Sequence, residues 1–180
     1  HSSNIASAMI GMAMTPKQFH DKLYDFGLGR RTGIELPGES RGLLTPAKYW
    51  TPIDAATTGF GQGAIAVTPL QLVAAVSAVA NNGVWIQPHL IRRVYDPSNG
   101  VTEKWIEPNK RRVVAPEVAK LVSRLLAENI YEGTQIAGQI PGYRVAGKTG
   151  TAQKVTANGR GYMAGQTIAS FVGFLPASNP

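Results

Sequence analysis

The chain has 180 residues, and its 18 Lys and Arg against 11 Asp and Glu give a formal charge of +7 at pH 7. Hydrophobic residues make up 43% of the chain, a fraction typical of globular domains, which argues against intrinsic disorder. The absence of cysteine excludes a disulfide scaffold and a cysteine-ligated zinc site. The length predicts one domain or a large piece of one, and neither end carries a targeting sequence. Because the chain begins at His1 rather than Met, we expect a segment of a longer protein.

Four helices are predicted from start and stop signals. Two of them open with Thr-Pro, at Thr15 and Thr68, where the hydroxyl caps the helix and proline takes its first position. Apolar residues then recur at helical spacing up to the stop signals Gly27 and Asn81-Asn82-Gly83. Thr45-Pro46 carries the same opening and is interpreted as a further capped helix start. The four predicted helices cover residues 4–14, 16–26, 69–80 and 116 to just before Gly133.

Strand signals are concentrated late in the chain. Residues 90–95 and 101–106 flank a turn cluster and are predicted to form a hairpin. Residues 143–147 and 167–175 are predicted as two further strands, with the turn signal Asn158-Gly159 in the polar connection between them. A largely helical body followed by antiparallel strands predicts an α+β fold.

The spacing of residues excludes several kinds of site. The three histidines, His1, His20 and His89, lie far apart and outside any H-x-x-x-H or H-E-x-x-H frame, so no metal site is predicted. No serine stands in G-x-S-x-G, which argues against a Ser-His-Asp hydrolase. The uncharged stretch 55–91 is broken by glycine and proline, and its predicted helix is too short to span a membrane.

The glycine loop, residues Gly59–Gly63, lacks the spacing of a phosphate-binding loop. It is interpreted either as a place where the backbone approaches a ligand or a neighbouring element, or as a turn before the helix at Thr68. The basic runs Arg92-Arg93 and Lys110-Arg111-Arg112 belong to no recognised nucleic-acid module. They favour a solvated basic face, and a nucleic-acid-binding protein is a distant alternative.

Two short motifs together supply the groups that one type of reaction needs. The S-x-N motif (Ser2–Asn4) stands at a helix entrance, where Ser and Asn are also ordinary capping residues. The K-T-G-T motif (Lys148–Thr151) stands at the end of a predicted strand, where an exposed strand edge is an equally good explanation. Together they offer hydroxyls, an amide, a cation and a glycine that lets a substrate backbone lie close. A serine acyltransferase acting on an amide with a free carboxylate needs these groups. The order, S-x-N and then K-T-G, is typical of the penicillin-interacting serine enzymes.

Over nearly its whole length the chain resembles a class B penicillin-binding protein, most closely the cell-division (septal) and spore-type transpeptidases. The likeness rests on the S-x-N motif and on the stretches 28–39, 58–63, 67–72 and 148–154. It implies the penicillin-binding and serine β-lactamase-like fold, with a helical body and an antiparallel sheet. It also implies D,D-transpeptidase activity on the D-Ala-D-Ala of peptidoglycan stem peptides, acylation by β-lactams, an extracytoplasmic (periplasmic) location and a membrane-embedded glycan polymerase as partner. We expect no cofactor and no nucleic acid.

The resemblance also implies a role for each matching residue. Ser2 matches a serine that relays a proton toward the leaving D-Ala nitrogen, and Asn4 matches an amide that binds the substrate backbone. Lys148 matches a lysine that supplies positive potential beside that serine and the substrate carboxylate. The implied substrate-binding residues are the hydroxyl-bearing Thr149 and Thr151 (the latter also through its backbone N–H in an oxyanion hole), Gly150, and the cleft-side residues Gly61, Gln62 and Gly63.

One part of the family pattern is missing from the sequence. The nucleophile and its base lie in S-x-x-K, upstream of S-x-N, and no S-x-x-K occurs here. We therefore expect residues 1–180 to form a single partial transpeptidase domain that lacks the nucleophile helix upstream and the last sheet strand downstream, and to be inactive alone. One alternative is a non-catalytic penicillin-binding-like module that holds peptidoglycan or a division partner. Another is a serine β-lactamase or carboxypeptidase, against which the stretch 28–72 argues.

Overall fold

The computed structural model describes residues 2–132, 138–157, 159, 161–178 and 180. Within those residues, helices and strands form an α+β arrangement, as predicted. The helices are α1 (Asn4–Met12), α2 (Pro16–Asp25), α3 (Pro52–Gly59), α4 (Pro69–Ala80) and α5 (Pro116–Tyr131). The strands are β1 (Leu43–Leu44), β2 (Ile65–Ala66), β3 (Val84–Ile86), β4 (Arg93–Asp96), β5 (Val101–Trp105), β6 (Lys110–Arg112), β7 (Ala146–Val155) and β8 (Tyr162–Phe174). They form antiparallel pairs, β1 with β2, β3 with β6, β4 with β5 and β7 with β8.

Three helices begin with the same Thr-Pro arrangement. The hydroxyls of Thr15, Thr51 and Thr68 each accept a hydrogen bond from the backbone N–H three residues later, and the side chain at that position accepts from the threonine N–H. This capping box satisfies backbone donors that a helix start otherwise leaves without partners. The helices after Thr15 and Thr68 confirm the prediction. The sequence analysis overlooks α3, although Thr51-Pro52 carries the same signal.

α1 ends earlier than predicted, at Met12 rather than Met14. Thr15 is extended because it caps α2, and Pro16 disfavours helical geometry in the residue before it. α5 begins at Pro116 as predicted, and its predicted stop signal, Gly133, lies outside the described residues. No helix in the described part of the chain is both long enough and apolar enough to cross a membrane.

The predicted capped helix start at Thr45 is wrong. A three-residue 3-10 helix, Ala47–Tyr49, follows instead, and no side chain caps it. Thr45 is held in the extended pairing of β1 and β2, because its N–H donates to the Ala64 carbonyl at 3.0 Å. Its carbonyl accepts from the Trp50 indole N–H at 2.7 Å. A capping residue would use this carbonyl for the first hydrogen bond of its helix, but here the Trp50 indole binds it.

The basic run Lys110–Arg112 is a strand. The sequence analysis missed β3 and β6, which pair Trp85 opposite Arg111. The Arg111 guanidinium lies 3.5 Å from the centre of the Trp85 ring. Burial, and then the nearby Arg30, lower the pKa of Arg111 to about 10, so the group stays protonated at pH 7. The β4–β5 hairpin is confirmed, with the strands at 93–96 and 101–105 instead of 90–95 and 101–106.

β7 and β8 are much longer than predicted. Residues that we assigned to a polar connection, 148–155 and 162–166, form the arms of one hairpin. Tyr143 lies outside β7 and forms an isolated bridge with Ile140. The predicted turn was Asn158-Gly159. Gly159 lies in the connection between β7 and β8, and Asn158 lies outside the described residues. The K-T-G-T motif is therefore inside β7 and not at the end of a strand.

Two clusters of apolar side chains join several of these elements. One contains Ala74, Ala78, Trp85 and Val113 with the partly buried Phe26, and the other contains Trp50, Ala55 and Ala64 with the partly buried Phe19, Leu23 and Leu44. Buried residues outside these clusters include Ile130 on α5 and Ala146 at the start of β7. Between α1 and α3 the backbones themselves touch. A Cβ on Gly59 would lie 2.5 Å from the Ser7 carbonyl oxygen, and one on Gly11 would lie 2.8 Å from that of Ala55. Main-chain packing therefore fixes α1 against α3.

Candidate functional site

The two motifs meet at Ser2 and Lys148. The Lys148 ammonium donates a hydrogen bond to the Ser2 hydroxyl oxygen, which joins residues 146 positions apart in the sequence. The same ammonium donates to the Thr149 carbonyl at 2.9 Å. Because the Ser2 oxygen accepts from a cation, its own O–H can be donated to a third group. The pair is thus arranged as a hydroxyl donor supported by a positive charge.

The start of α1 positions Ser2 and Asn4. Ser3 is the N-cap, and its hydroxyl accepts from the Ala6 N–H at 3.2 Å, so the capping interpretation of this motif is also correct. Asn4 is the first helical residue and is exposed to solvent. The close contact of α1 with α3 then sets the position of the whole helix. The S-x-N motif therefore lies on a helix whose placement depends on backbone packing.

The K-T-G-T motif lies where β7 emerges from the core. Ala146 and Gly147 are buried, Lys148 is half-buried, and residues 149–151 are exposed. Gly150 pairs with Ser170, and an added Cβ there would lie 2.9 Å from the Ser170 hydroxyl oxygen. Within the described ranges β8 is the one strand neighbour of β7, so no second strand covers the other edge. An extended peptide can add to such an edge through main-chain hydrogen bonds.

Residues that the sequence analysis missed hold the start of β7. The Phe171 ring packs over Gly147, where an added Cβ would lie 2.5 Å from a ring carbon. The Asn129 side-chain amide on α5 donates to the Gly147 carbonyl at 3.3 Å. Both contacts fix the backbone immediately before Lys148. Thr149 lies opposite Phe171, so Phe171 is diagonal to Gly147 in the β7–β8 pair. Because the sequence alone does not give this register, it does not predict the contact.

The glycine loop follows α3 and approaches the β7–β8 hairpin. Gly63 donates its N–H to the Tyr162 hydroxyl at 3.0 Å, and Tyr162 is the first residue of β8. Gly61 and Gly63 have positive φ angles of 82° and 76°, which glycine adopts without strain. The Gln62 N–H donates to the Thr57 carbonyl at 2.9 Å. The structure therefore agrees with the first interpretation of this loop, in which its backbone approaches a neighbouring element, here β8.

The described residues contain no group of three His, Asp or Glu side chains placed to hold a metal ion. His20 packs against the rings of Tyr24 and Trp50, at 6.3 and 6.1 Å between centres. His89 Nδ1 lies 3.1 Å from the Gln87 carbonyl oxygen. His1 lies outside the described residues.

The fold and the two motifs define the class of protein. The model of the penicillin binding protein transpeptidase domain matches residues 1–180, and the chain belongs to this family. The family resemblance and the fold predicted from the sequence are confirmed.

Individual relatives agree with this assignment. The chain is 40% identical over 181 residues to stage V sporulation protein D of Bacillus subtilis, and covers 28% of that protein. It is 36% identical over 186 residues to penicillin-binding protein PbpB of Mycobacterium tuberculosis, with 99% of this chain and 27% of the relative covered. The fold is similar to that in the crystal structure of penicillin binding protein 3 of Mycobacterium tuberculosis complexed with aztreonam, with a TM-score of 0.90 and 35% sequence identity. The match covers 99% of this chain and 41% of that chain. This chain thus spans a little over a quarter of the first two proteins.

Proposed function

We propose that this chain is the part of a peptidoglycan D,D-transpeptidase domain that carries the S-x-N and K-T-G-T motifs. The parent would cross-link stem peptides by serine acyl transfer on D-Ala-D-Ala and would be acylated by β-lactams. The observation that carries this proposal is the hydrogen bond from Lys148 to Ser2, which brings the two motifs together. The names of the relatives support it, among them the probable peptidoglycan D,D-transpeptidase PenA of Neisseria flavescens, 34% identical over 181 residues.

The contacts fit different roles for Ser2 and Lys148 in acyl transfer. When the peptide bond breaks, the leaving nitrogen must receive a proton. Ser2 can donate its O–H to that nitrogen, and Lys148 stabilises the serine oxygen as negative charge develops on it. Lys148 also supplies a positive charge near the substrate carboxylate. Asn4, at the start of α1, would bind the substrate amide.

The exposed edge of β7 would bind the remainder of the substrate. Thr149 and Thr151 would contact its carboxylate with their hydroxyls, and the Thr151 N–H would donate to the oxyanion. Gly150 would let the substrate backbone lie close to the strand. Through Tyr162, the glycine-loop residues Gly61, Gln62 and Gly63 would support this edge indirectly.

The nucleophile belongs to another part of the parent in this proposal, because S-x-x-K does not occur in the 180 residues. We propose that these residues are one incomplete domain and that they form no acyl-enzyme alone. The parent would act on the extracytoplasmic side of the inner membrane, with a membrane-embedded glycan polymerase as its partner. No cofactor is needed for this acyl transfer.

The test is intact mass after incubation with benzylpenicillin. It compares the 180-residue chain, a longer chain that includes the complete transpeptidase domain, and the longer chain with Lys148→Ala. We expect one added penicillin mass on the longer chain and none on the shorter one. Lys104→Ala is the matched control, because Lys104 is an exposed lysine on β5.

Two results would contradict the proposal. A folded longer chain that gains no mass would favour a non-catalytic module that binds peptidoglycan or a division partner. Labelling of the 180-residue chain would show that our account of the missing nucleophile is wrong.

A further inference from the structure

We propose that Tyr162 is a positioning residue for the K-T-G-T strand: its hydroxyl accepts from the Gly63 N–H and holds the β7–β8 hairpin against the glycine loop. This inference rests on the proposed transpeptidase function, because it concerns how the site is held during acylation. It adds a residue outside both motifs, eleven residues beyond Thr151. The contact itself spans 3.0 Å and joins residues 99 positions apart.

The Gly63 side of this contact is firmly held. An added Cβ at Gly63 would lie 2.5 Å from the Thr57 hydroxyl oxygen, so the loop backbone packs directly on the end of α3. The Thr57 hydroxyl donates to the Ile53 carbonyl at 2.9 Å, and the Thr57 carbonyl accepts from the Gln62 N–H at 2.9 Å. The loop therefore moves with α3. Because α3 is in backbone contact with α1, the loop also moves with the helix that carries Ser2.

The Tyr162 side of the contact is the far end of the hairpin. Tyr162 pairs with Val155, the last residue of β7, seven residues beyond Lys148. At about 3.3 Å per residue this places the contact roughly 23 Å along the strand from Lys148. Val155 and Tyr162 are 52% and 41% exposed, so little apolar packing holds this end in the described structure. A two-stranded ribbon is flexible on its own, and a second attachment point limits its tilt.

In the described part of the chain, two connections between the motif-bearing elements can be traced. One is the hydrogen bond from Lys148 to Ser2 at the site itself. The other runs from α1 through α3 and the glycine loop to Tyr162 and the hairpin. Loss of the second connection removes no reacting group but allows β7, and the groups that it carries, to tilt. Acyl transfer depends on orientation, so a tilt of the strand that carries the Thr151 N–H slows the chemical step.

The experiment uses the complete parent enzyme with Tyr162→Phe, which keeps the ring and removes the hydroxyl. Tyr143→Phe is the matched control, because Tyr143 is 56% exposed and lies outside the hairpin. Stopped-flow acylation by a chromogenic cephalosporin separates the dissociation constant of the first complex from the acylation rate constant. We expect the acylation rate constant to fall about tenfold in Tyr162→Phe, with the dissociation constant within about twofold. Hydrogen exchange of residues 146–155 should become faster, and Tyr143→Phe should match the wild type.

The outcomes separate this inference from the proposed function. Failure of the wild-type parent to be acylated would overturn both. Normal acylation of Tyr162→Phe would overturn the inference and leave the proposed function standing. A loss of rate that is fully explained by a lower fraction of folded protein, with unchanged exchange in β7, would show a purely structural role and would also overturn it.

Discussion

The loops around Gln71 and the pair formed by Ser2 and Lys148 use polar side chains in opposite ways. Gln71 is fully buried, and its amide donates to the Arg30 and Arg41 carbonyls at 2.7 and 2.8 Å. Its oxygen accepts from the helix start at 2.9 Å. Ser2 is exposed, and its O–H can still be donated. Both regions match the family pattern, but Gln71 connects backbone groups of separate loops, whereas Ser2 presents its hydroxyl to solvent.

Glu39 belongs to the same structural group as Gln71. Its carboxylate accepts from the Thr32 N–H and hydroxyl, both at 2.7 Å, and from the Gly33 N–H at 3.1 Å. Burial acts to raise the pKa of Glu39, but the hydrogen bonds from Thr32 and Gly33, with Arg31 nearby, outweigh it and hold the pKa below its ordinary value. Resemblance to a family therefore marks loop-closing residues and reacting residues alike, and burial with full pairing separates them.

The largest effect is expected at the exposed site. Lys148→Ala in the parent enzyme should slow benzylpenicillin acylation by roughly 100- to 10,000-fold, because Ser2 loses the cation that supports it. The melting temperature should change little, since no backbone group in the core depends on Lys148. Gel fluorescence with a labelled penicillin measures the rate, and Lys104→Ala is the control. A Lys148→Ala enzyme that acylates normally would remove the distinction between the two regions.

The buried region should show the opposite pattern. Gln71→Ala should lower the free energy of unfolding by about 3–5 kcal/mol, because two backbone carbonyls and one N–H lose their buried partner. Acylation per folded molecule should stay near wild type. Urea unfolding of the parent domain gives the stability, with Gln166→Ala, an exposed glutamine on β8, for comparison. A rate loss at full stability would place Gln71 in the chemistry after all.

Gly59→Ala should lower both the free energy of unfolding and the acylation rate, because Gly59 packs against the helix that follows Ser2. An alanine normally stabilises a helix relative to glycine, by about 1 kcal/mol. Here the added Cβ would lie 2.5 Å from the Ser7 carbonyl oxygen and must displace α1, so we expect a loss of about 1–3 kcal/mol instead. Acylation should also slow several-fold, because Ser2 moves with α1. Thermal unfolding checks the sign, and a more stable variant would contradict the contact.

The smallest effect concerns pH. The lowered pKa of Glu39 means that its contribution to stability is present above the unfolded value of about 4.3 and is lost as the pH falls through the folded value. The difference in urea midpoint between wild type and Glu39→Gln should therefore be largest near pH 7 and should shrink below about pH 4. Glu107→Gln, an exposed glutamate, is the matched control. A difference that grows on acidification would contradict this sign.

The helices were the most predictable part of the fold. Thr-Pro followed by Gln three residues after the cap identifies α2 and α4, because capping chemistry is local in sequence. α3 was missed although Thr51-Pro52 repeats this signal, because the glycines that follow it favour a loop. β6 was missed because its three residues, Lys110–Arg112, are all basic, and Trp85 supplies the packing from a distant strand.

The proximity of Ser2 and Lys148 could be predicted from the sequence, because the family resemblance links the two short motifs, and the structure places the two side chains in contact. Their surroundings could not be predicted. The exposed arm 148–155 of β7 lacks the alternating apolar pattern that predicts a strand, so the motif was placed at a strand end. The supporting contacts of Tyr162 with Gly63 and of Phe171 with Gly147 depend on register and tertiary packing, which no local pattern encodes.

The touching backbones of α1 and α3 have a consequence for how this family member can vary. The atoms that oppose Gly11 and Gly59 include main-chain carbonyl oxygens, of Ala55 and Ser7, which no substitution can shorten or remove. A larger residue at either glycine therefore has no second-site suppressor at the opposing position. In a randomised library selected for fast penicillin labelling, glycine should be strongly enriched at both positions, while the exposed neighbour Ile5 should accept many residues.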